Sequence, residues 1–340
     1  MLAAQTELKN AEKVRGFLIK HDLFHSDYLP IKELGLIYFP LKKKINLPLG
    51  KVVNTKFSFP KKEILLTIEG LLKGKLTAKQ LGLIPRSQEI VGKIMILEVP
   101  EQLEKKEKLI AEAYLKINKN IETVVKKSKI HHGEFRLRGV KILAGKKSKE
   151  TIHQENGIRI KLHLEKTYFS ARSGHERLRI AQQVKKGEEV LVMFSGAGPY
   201  PLVIAKNSSA KKVYGIEINP LAHQYALESV KMNKLEDKIV IIQGDVRDIL
   251  PSMKRKFDRI AMPLPKTGEQ FLPLALKKIQ KKGIIHLYDF LSEEEIAVQM
   301  EEIKNISKQE KHKIKILRAV KCGQFSPHVY RICFDILRVK

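Results

Sequence analysis

Four absences or scarcities narrow what this chain can be. It has two cysteines, Cys322 and Cys333, too few and wrongly spaced for a zinc site, and they fit a protein kept reduced. No apolar run approaches the ~20 residues that cross a bilayer. The opening residues, Met1-Leu-Ala-Ala-Gln-Thr-Glu7, lack the basic-then-apolar order of a secretory signal. The expectation is a soluble cytoplasmic protein with no membrane partner. Acid is also scarce, with 37 Asp and Glu against 65 Lys and Arg, a net charge of +28. Such an excess repels itself unless a polyanion binds, which favours nucleic acid over a small neutral substrate. A lysine-rich thermophilic surface or a cationic ribosome-associated protein is the bland alternative. Apolar residues make up 43% of the 340, enough for two or three domains with their own cores.

The most informative stretch runs from Glu188 to Pro201. Val190 to Phe194 is wholly apolar, as a strand buried on both faces requires. Gly196 and Gly198 follow where the chain must turn and admit a ligand to the backbone. Pro199 and Pro201 are tolerable only in the first turn of a helix. A second apolar strand, Lys212 to Ile218, comes about 20 residues after the glycines and carries Glu217 near its end. Strand, Gly-x-Gly turn, helix and acid form a half-site for a nucleoside, with the carboxylate on the ribose hydroxyls. A dinucleotide or S-adenosylmethionine would satisfy it. The dinucleotide pattern wants a small residue where Pro201 stands, which disfavours NAD. A third strand, Lys238 to Ile242, leads to Gly244-Asp245-Val246, an acid placed to read an adenine amino group.

Residues 1–60 read as a small module, with a helix over Leu8–His21 and short strands between Tyr28 and Phe39. Residues 61–135 read as a second α+β unit with helices at Ile64–Leu72 and Ala78–Leu81. It continues with a strand at Ile94–Val99 and a single helix over Glu101–Asn118, and the cationic run Lys126–His132 breaks the pattern. The third unit, 136–340, opens with an alternating strand around Arg136 and Arg138, a polar turn at Thr151–Gly157 and a strand over Ile158–Leu164. Tyr168–Arg179 combines an aromatic, three arginines and Glu176. It can be read as chemistry or as a helix start with i,i+3 ion pairs. Strands at Phe257–Met262 and Gly283–Tyr288 follow, with Pro263-Leu-Pro-Lys266 between them and a helix at Ser292–Asn305 beyond. Strands Ile314–Val320 and Val329–Val339 close the chain as an antiparallel pair. Five strand–helix units and a hairpin make an α/β, doubly wound (Rossmann-like) sheet of the class I methyltransferase type, whose ligands sit at the carboxyl ends of its strands.

These motifs resemble the archaeal and eukaryotic tRNA guanosine-37 N1-methyltransferases over most of the chain. The matching segments are Phe135-Arg136, Thr151-Ile-His with Glu155-Asn-Gly157, Tyr168-Phe-Ser with Arg172 and Glu176-Arg177, and Phe194-x-Gly-x-Gly-Pro199. They continue in Glu217-Ile218-Asn-Pro220, Gly244-Asp245-Val246-Arg, Asp258 through Pro263 to Lys266, and Ser326-Pro327 with Tyr330 and Asp335. The resemblance implies S-adenosylmethionine as cofactor, lying against Phe194, Gly196, Gly198, Glu217, Ile218, Asp245, Val246 and Pro263. It implies tRNA as partner, contacted at its outer corner by the first module and at its anticodon stem-loop by the second, with the third carrying the chemistry. A monomer is expected, since one active site and three tRNA-contacting segments fit within one chain. Tyr168, Arg172, Arg138, Lys266, Ser326 and Pro327 would meet the substrate.

Guanine N1 is a poor nucleophile until it loses its proton. Glu176 matches the family's base for that step, and Arg136 matches the guanidinium that stabilises charge on O6. The target base must leave its stack to reach the methyl group. The chain departs from the family pattern at Val192, where Asp is usual, and at Pro263, where Asn is usual. Two other readings stand beside methyl transfer: a paralogue in wybutosine-type tRNA modification, such as an aminocarboxypropyl transferase, and a non-catalytic tRNA-binding protein on the same scaffold.

Overall fold

A computed structural model of the chain describes residues 1–62, 66–132 and 137–339, in two compact units, Met1–Thr67 and Ile68–Lys340. The first unit holds β1 (Leu2–Glu7), α1 (Ala11–Lys20), β2 (Ile31–Glu33), β3 (Leu36–Pro40) and β4 (Lys51–Asn54), in one antiparallel sheet ordered β2-β3-β1-β4. Val14 and Leu18, four apart on one face of α1, are fully buried in a cluster with Ala4, Ile37 and Phe39. The expected helix over Leu8–His21 begins as a 3-10 turn at Leu8–Asn10. Strand β1 was not expected from Leu-Ala-Ala-Gln-Thr-Glu, whose alanines have little strand preference. Pairing with β3 on one side and β4 on the other supplies what local propensity lacks.

The second unit opens with α2 (Ile68–Leu72), α3 (Ala78–Gly82), β5 (Glu89–Val91), β6 (Ile94–Leu97), α4 (Glu107–Ile117), β7 (Thr123–His132) and β8 (Leu137–Gly145). Its sheet is ordered β5-β6-β7-β8, and α4 packs Ile110 and Tyr114 into a core with Met95 and Leu97. Of the helix expected over Ile64–Leu72, Ile64 lies outside the described residues and α2 begins only at Ile68. Two further expectations fail. Glu101–Lys106 is a 3-10 segment ahead of α4, so the expected single helix is two pieces. The run Lys126–His132 is not a break but the second half of β7. Lys126 and Lys127 are tolerated there because Glu107 and Glu89 pair with them.

A hairpin of β9 (Glu150–Glu155) and β10 (Ile158–His163) follows. The turn expected over Thr151–Gly157 shrinks to Asn156-Gly157, both at positive φ, and the polar residues before it form β9. After α5 (Gly174–Gln183) come β11 (Glu189–Met193), α6 (Pro199–Asn207), β12 (Lys212–Glu217), α7 (Pro220–Met232), β13 (Ile239–Gln243) and α8 (Val246–Ser252). The chain ends with β14 (Phe257–Met262), α9 (Leu272–Lys278), β15 (Ile279–Leu291), α10 (Glu295–Gln309), β16 (Ile314–Ser326) and β17 (Val329–Arg338). These strands build a seven-stranded sheet ordered β13-β12-β11-β14-β15-β17-β16. The first five run parallel and β17 runs antiparallel between β15 and β16. Separate apolar clusters cover its two faces, which is why β11 and β12 are apolar almost throughout. The fold is the class I methyltransferase version of the doubly wound sheet. No helix among the described residues is long and apolar enough to cross a membrane.

The strand order reverses at β11, with β12 on one side and β14 on the other. Loops leaving their carboxyl ends diverge there and open a crevice. Phe194-Gly-rich turn and Pro263-Leu-Pro265 are the two lips of that crevice.

Candidate active site

The crevice is a cavity of about 540 Å³. Phe194, at φ +61, turns the chain out of β11, and its ring meets Phe271 edge-on at 4.8 Å. Gly198 is the N-cap of α6 in the left-handed conformation, and both prolines lie in the first turn of that helix. Gly196 leaves its N–H free to donate to Glu217 Oε2 at 2.7 Å, while the Asn219 N–H donates to Oε1 at 2.8 Å. These bonds fix a carboxylate that is 8% exposed at the end of β12. Burial raises its pKa above the ordinary value, against the pull of the two amides. Each oxygen keeps an acceptor position for a hydroxyl of a bound ribose.

Ile218, Gly244, Asp245, Val246 and Pro263 complete the same wall. Asp245 caps α8 through the Arg247 N–H at 2.7 Å and is gripped by the Arg247 guanidinium, which lowers its pKa. Ser195 Oγ lies buried on the wall with no hydrogen-bond partner among the described residues. Amide-fixed Glu217, unpartnered Ser195 and the glycine turn suit the nucleoside end of S-adenosylmethionine. Val192 is fully buried in the sheet core, so its departure from Asp changes the core and not the cavity wall.

A second cavity of about 260 Å³ adjoins the first. Tyr168, Phe169, Ser170, Ser173 and Arg331 line both. Tyr168 is 49% exposed and exposed Arg172 lines the second alone. Glu89, Glu98 and Lys127 reach it from the smaller sheet. Phe290 and Phe325, also in its lining, stack with centroids 4.1 Å apart. Cys322 also faces it, its thiol pushed up to about 12 by burial, so it stays protonated and is no nucleophile.

Glu176 lines neither cavity. It sits in the first turn of α5, 4% exposed. Arg179 donates to it from Nε at 2.6 Å and Nη2 at 2.8 Å, and the Tyr288 hydroxyl donates at 2.6 Å. The helix-start ion pair at i,i+3 is therefore present. Three donors leave one acceptor position on Oε2. Lys266, at φ +82, donates its N–H to Asp289 and carries its ammonium 5.2 Å from the Phe325 ring, outside both cavity walls. Ser326 and Pro327 lie at the tip of the β16–β17 hairpin, also outside them. Arg138 falls in β8 opposite His131, and Arg136 lies outside the described residues.

Comparison with known proteins decides the family. The TRM5/TYW2 methyltransferase domain matches residues 151–317, the TYW2 N-terminal domain 68–148 and the tRNA methyltransferase 5 N-terminal domain 5–47. The tRNA (guanine(37)-N(1))-methyltransferase Trm5b of Pyrococcus abyssi is 33% identical over 98% of this chain and 98% of its own. The chain belongs to the TRM5/TYW2 methyltransferase family. A solved complex of aTrm5 with tRNALeu superposes over the whole of both chains with a TM-score of 0.76 at 29% identity. TYW2 of Pyrococcus horikoshii, solved with MeSAdo, gives 0.71 at 29% identity over 80% of this chain and 98% of its own.

Sequence reasoning missed several residues of this family member's site. Phe290 and Phe325 stand 35 positions apart, and nothing in either strand marks them as partners. Arg331 follows Tyr330 in a closing strand that reads as sheet edge. Asp335 and Arg179 stood in segments that the sequence singled out, but their joining with buried His286 into one array behind Glu176 was not foreseen. The Asp335 carboxylate takes Arg179, Arg318 and His286. Burial opposes its charge, but these donors overcome that and hold its pKa well below the ordinary value. His286, Cys333 and Asp335 offer metal-ligand atoms within 4.8 Å of one another. Both His286 nitrogens are already engaged, Nδ1 to Asp335 and Nε2 to Arg259. Crowding arginines make this an ion-pair array and not a metal centre.

Proposed function

We propose that this chain is an S-adenosylmethionine-dependent methyltransferase acting on N1 of guanosine-37 in tRNA. Two adjoining cavities with a common wall carry the reading: the cofactor occupies the larger and a flipped guanine the smaller, so donor and acceptor meet across Tyr168–Ser173. The bound cofactor supplies an electrophilic methyl group on a sulfonium. The Glu217 carboxylate holds the ribose, Asp245 the adenine, and the glycine turn admits the nucleoside to the backbone. Tyr168 and Arg172 receive the base, with Phe290 and Phe325 as a platform of the stacking type that unstacked bases favour.

Glu176 takes the N1 proton through the free position on Oε2, and Arg136 is assigned to O6 from the family resemblance. Pro263 contributes a carbonyl and a ring wall where an asparagine would contribute an amide. The unit at 1–60 meets the tRNA outer corner, 61–135 supports the anticodon stem-loop, and 136–340 performs the transfer as a monomer. Arg138, Lys266, Ser326 and Pro327 contact RNA outside the cofactor cavity. Both cysteines are free thiols, as in a reducing compartment, and we place the enzyme in the cytoplasm.

Aminocarboxypropyl transfer is the second reading, since TYW2 relatives share the catalytic unit. Residues 5–47 match the tRNA methyltransferase 5 N-terminal domain, and the P. horikoshii TYW2 covers only 80% of this chain, which favours methyl transfer. The deciding experiment incubates unmodified tRNA transcripts with labelled cofactor and maps the nucleosides. 1-Methylguanosine at position 37 is expected. An aminocarboxypropyl product, or no product with intact tRNA binding, overturns the assignment.

A further inference from the structure

Among the described residues, the arginines lining the larger cavity are Arg177, Arg247 and Arg331. Arg177 is held by the Glu155 carboxylate through Nε and Nη2, and Arg247 by Asp245. Arg331 has no carboxylate partner among the described residues. Its Nη1 donates to Ser173 Oγ and its Nη2 to the Tyr200 hydroxyl at 3.2 Å. The guanidinium lies 4.6 Å from the Tyr288 ring centroid, and Nε is buried with no hydrogen-bond partner among the described residues. Two neutral hydroxyls and a ring fix its position but do not balance its charge. A desolvated cation without a counter-ion is costly, and here it faces a cavity.

Position says which anion it meets. Glu217 ends β12 and Asp245 follows β13, on one side of β11, whereas Arg331 belongs to β17 on the other side. A ligand whose adenosine lies against β12 and β13 extends its remaining end along the crevice toward β17. In S-adenosylmethionine that end is an amino acid, and its carboxylate is the anion the crevice would enclose. The smaller cavity already has exposed Arg172 for an RNA partner. We propose that Arg331 binds the α-carboxylate of the cofactor's methionine and so selects the intact cofactor over truncated adenosine thioethers. The proposal rests on placing the cofactor in the larger cavity.

Calorimetric titration of the full chain with S-adenosylhomocysteine and with 5′-methylthioadenosine tests it. The second ligand keeps adenosine and sulfur but lacks the amino-acid end. Arg331→Gln is expected to weaken S-adenosylhomocysteine about ten- to hundredfold, the worth of one charged hydrogen-bonded contact, and to leave 5′-methylthioadenosine unchanged. That unchanged affinity also reports an intact cavity. Arg331→Lys, which keeps the charge but not the fork, should fall between wild type and Arg331→Gln. Parallel loss of both ligands in Arg331→Gln would make Arg331 a prop for the cavity and overturn the proposal, as would unaltered S-adenosylhomocysteine binding. Glu217→Ala is the companion variant and should weaken both ligands alike. If it affects neither, the cofactor placement has failed and takes the Arg331 assignment with it.

Discussion

Glu176 concentrates the tension between architecture and chemistry in a single carboxylate. Clamped by Arg179 and Tyr288, it could be only the anchor of α5, or it could keep its last acceptor position for a proton. Glu176→Gln separates the two, because the amide oxygen can still accept from Tyr288 and Arg179 while losing basicity. As base, Glu176 predicts a single-turnover methyl transfer slowed by roughly 10²–10⁴ in Glu176→Gln. Raising the pH should partly restore the rate as solvent takes the proton from guanine. A wild-type rate accompanied by a lowered melting temperature would make Glu176 structural. Glu217, by contrast, was legible from sequence, because a strand-terminal acid at fixed distance from Gly-x-Gly is set by local chain geometry. Arg331 was not, since its significance lies in lacking a partner, and absence of a partner exists only in three dimensions.

Among the elements, α5, β15 and β17 are joined by a polar array inside an apolar sheet. Arg259 can only donate, so His286 Nε2 is an acceptor and its proton resides on Nδ1, donated to Asp335. Burial lowers the His286 pKa below its ordinary 6.5, with Asp335 opposing and Arg259 and Arg179 reinforcing. A histidine held neutral in the fold takes up its proton only on unfolding, so the unfolded chain binds more protons and stability rises with pH. The contribution is fully present above pH 6.5 and is lost as pH falls below it, at up to about 1.4 kcal/mol per pH unit for one proton. His286→Asn keeps a donor for Asp335 without a titrating group. Its melting temperature should therefore change less between pH 7 and pH 5 than that of wild type. Equal pH slopes would show that His286 contributes nothing, leaving the partly buried His163 and His312, whose pKa values burial also lowers. Most sheet strands were readable as apolar runs for the same reason that they resist internal charge. The second half of β7 was not, because Lys126 and Lys127 are compensated by Glu107, Glu104, Glu89 and Glu98 from other segments.

Taken as a whole, the molecule carries +28, and how that charge is spent distinguishes a nucleic-acid surface from a merely soluble one. Part is cancelled locally, as in Lys93 and Lys146 with Glu122 or Lys161 with Glu150 and Glu228. In the first unit Lys42 pairs with Asp22, whereas Lys43, Lys44, Lys61 and Lys62 are exposed. Exposed cations of that kind gain little from isolated surface pairs, but they gain from displacing counter-ions condensed on a polyanion. If five to eight phosphates are neutralised, tRNA affinity should fall roughly 10³–10⁴-fold between 50 and 200 mM salt. Cofactor binding is the internal control. Its ionic contacts are enclosed in the crevice and screened far less than those at the surface, so its salt dependence should be shallow. Fluorescence titration of tRNA and calorimetry of cofactor across one salt series measure both. A flat tRNA response would mean that the excess charge serves heat stability or solubility, and that the RNA is held by base contacts in the smaller cavity rather than by the surface around it.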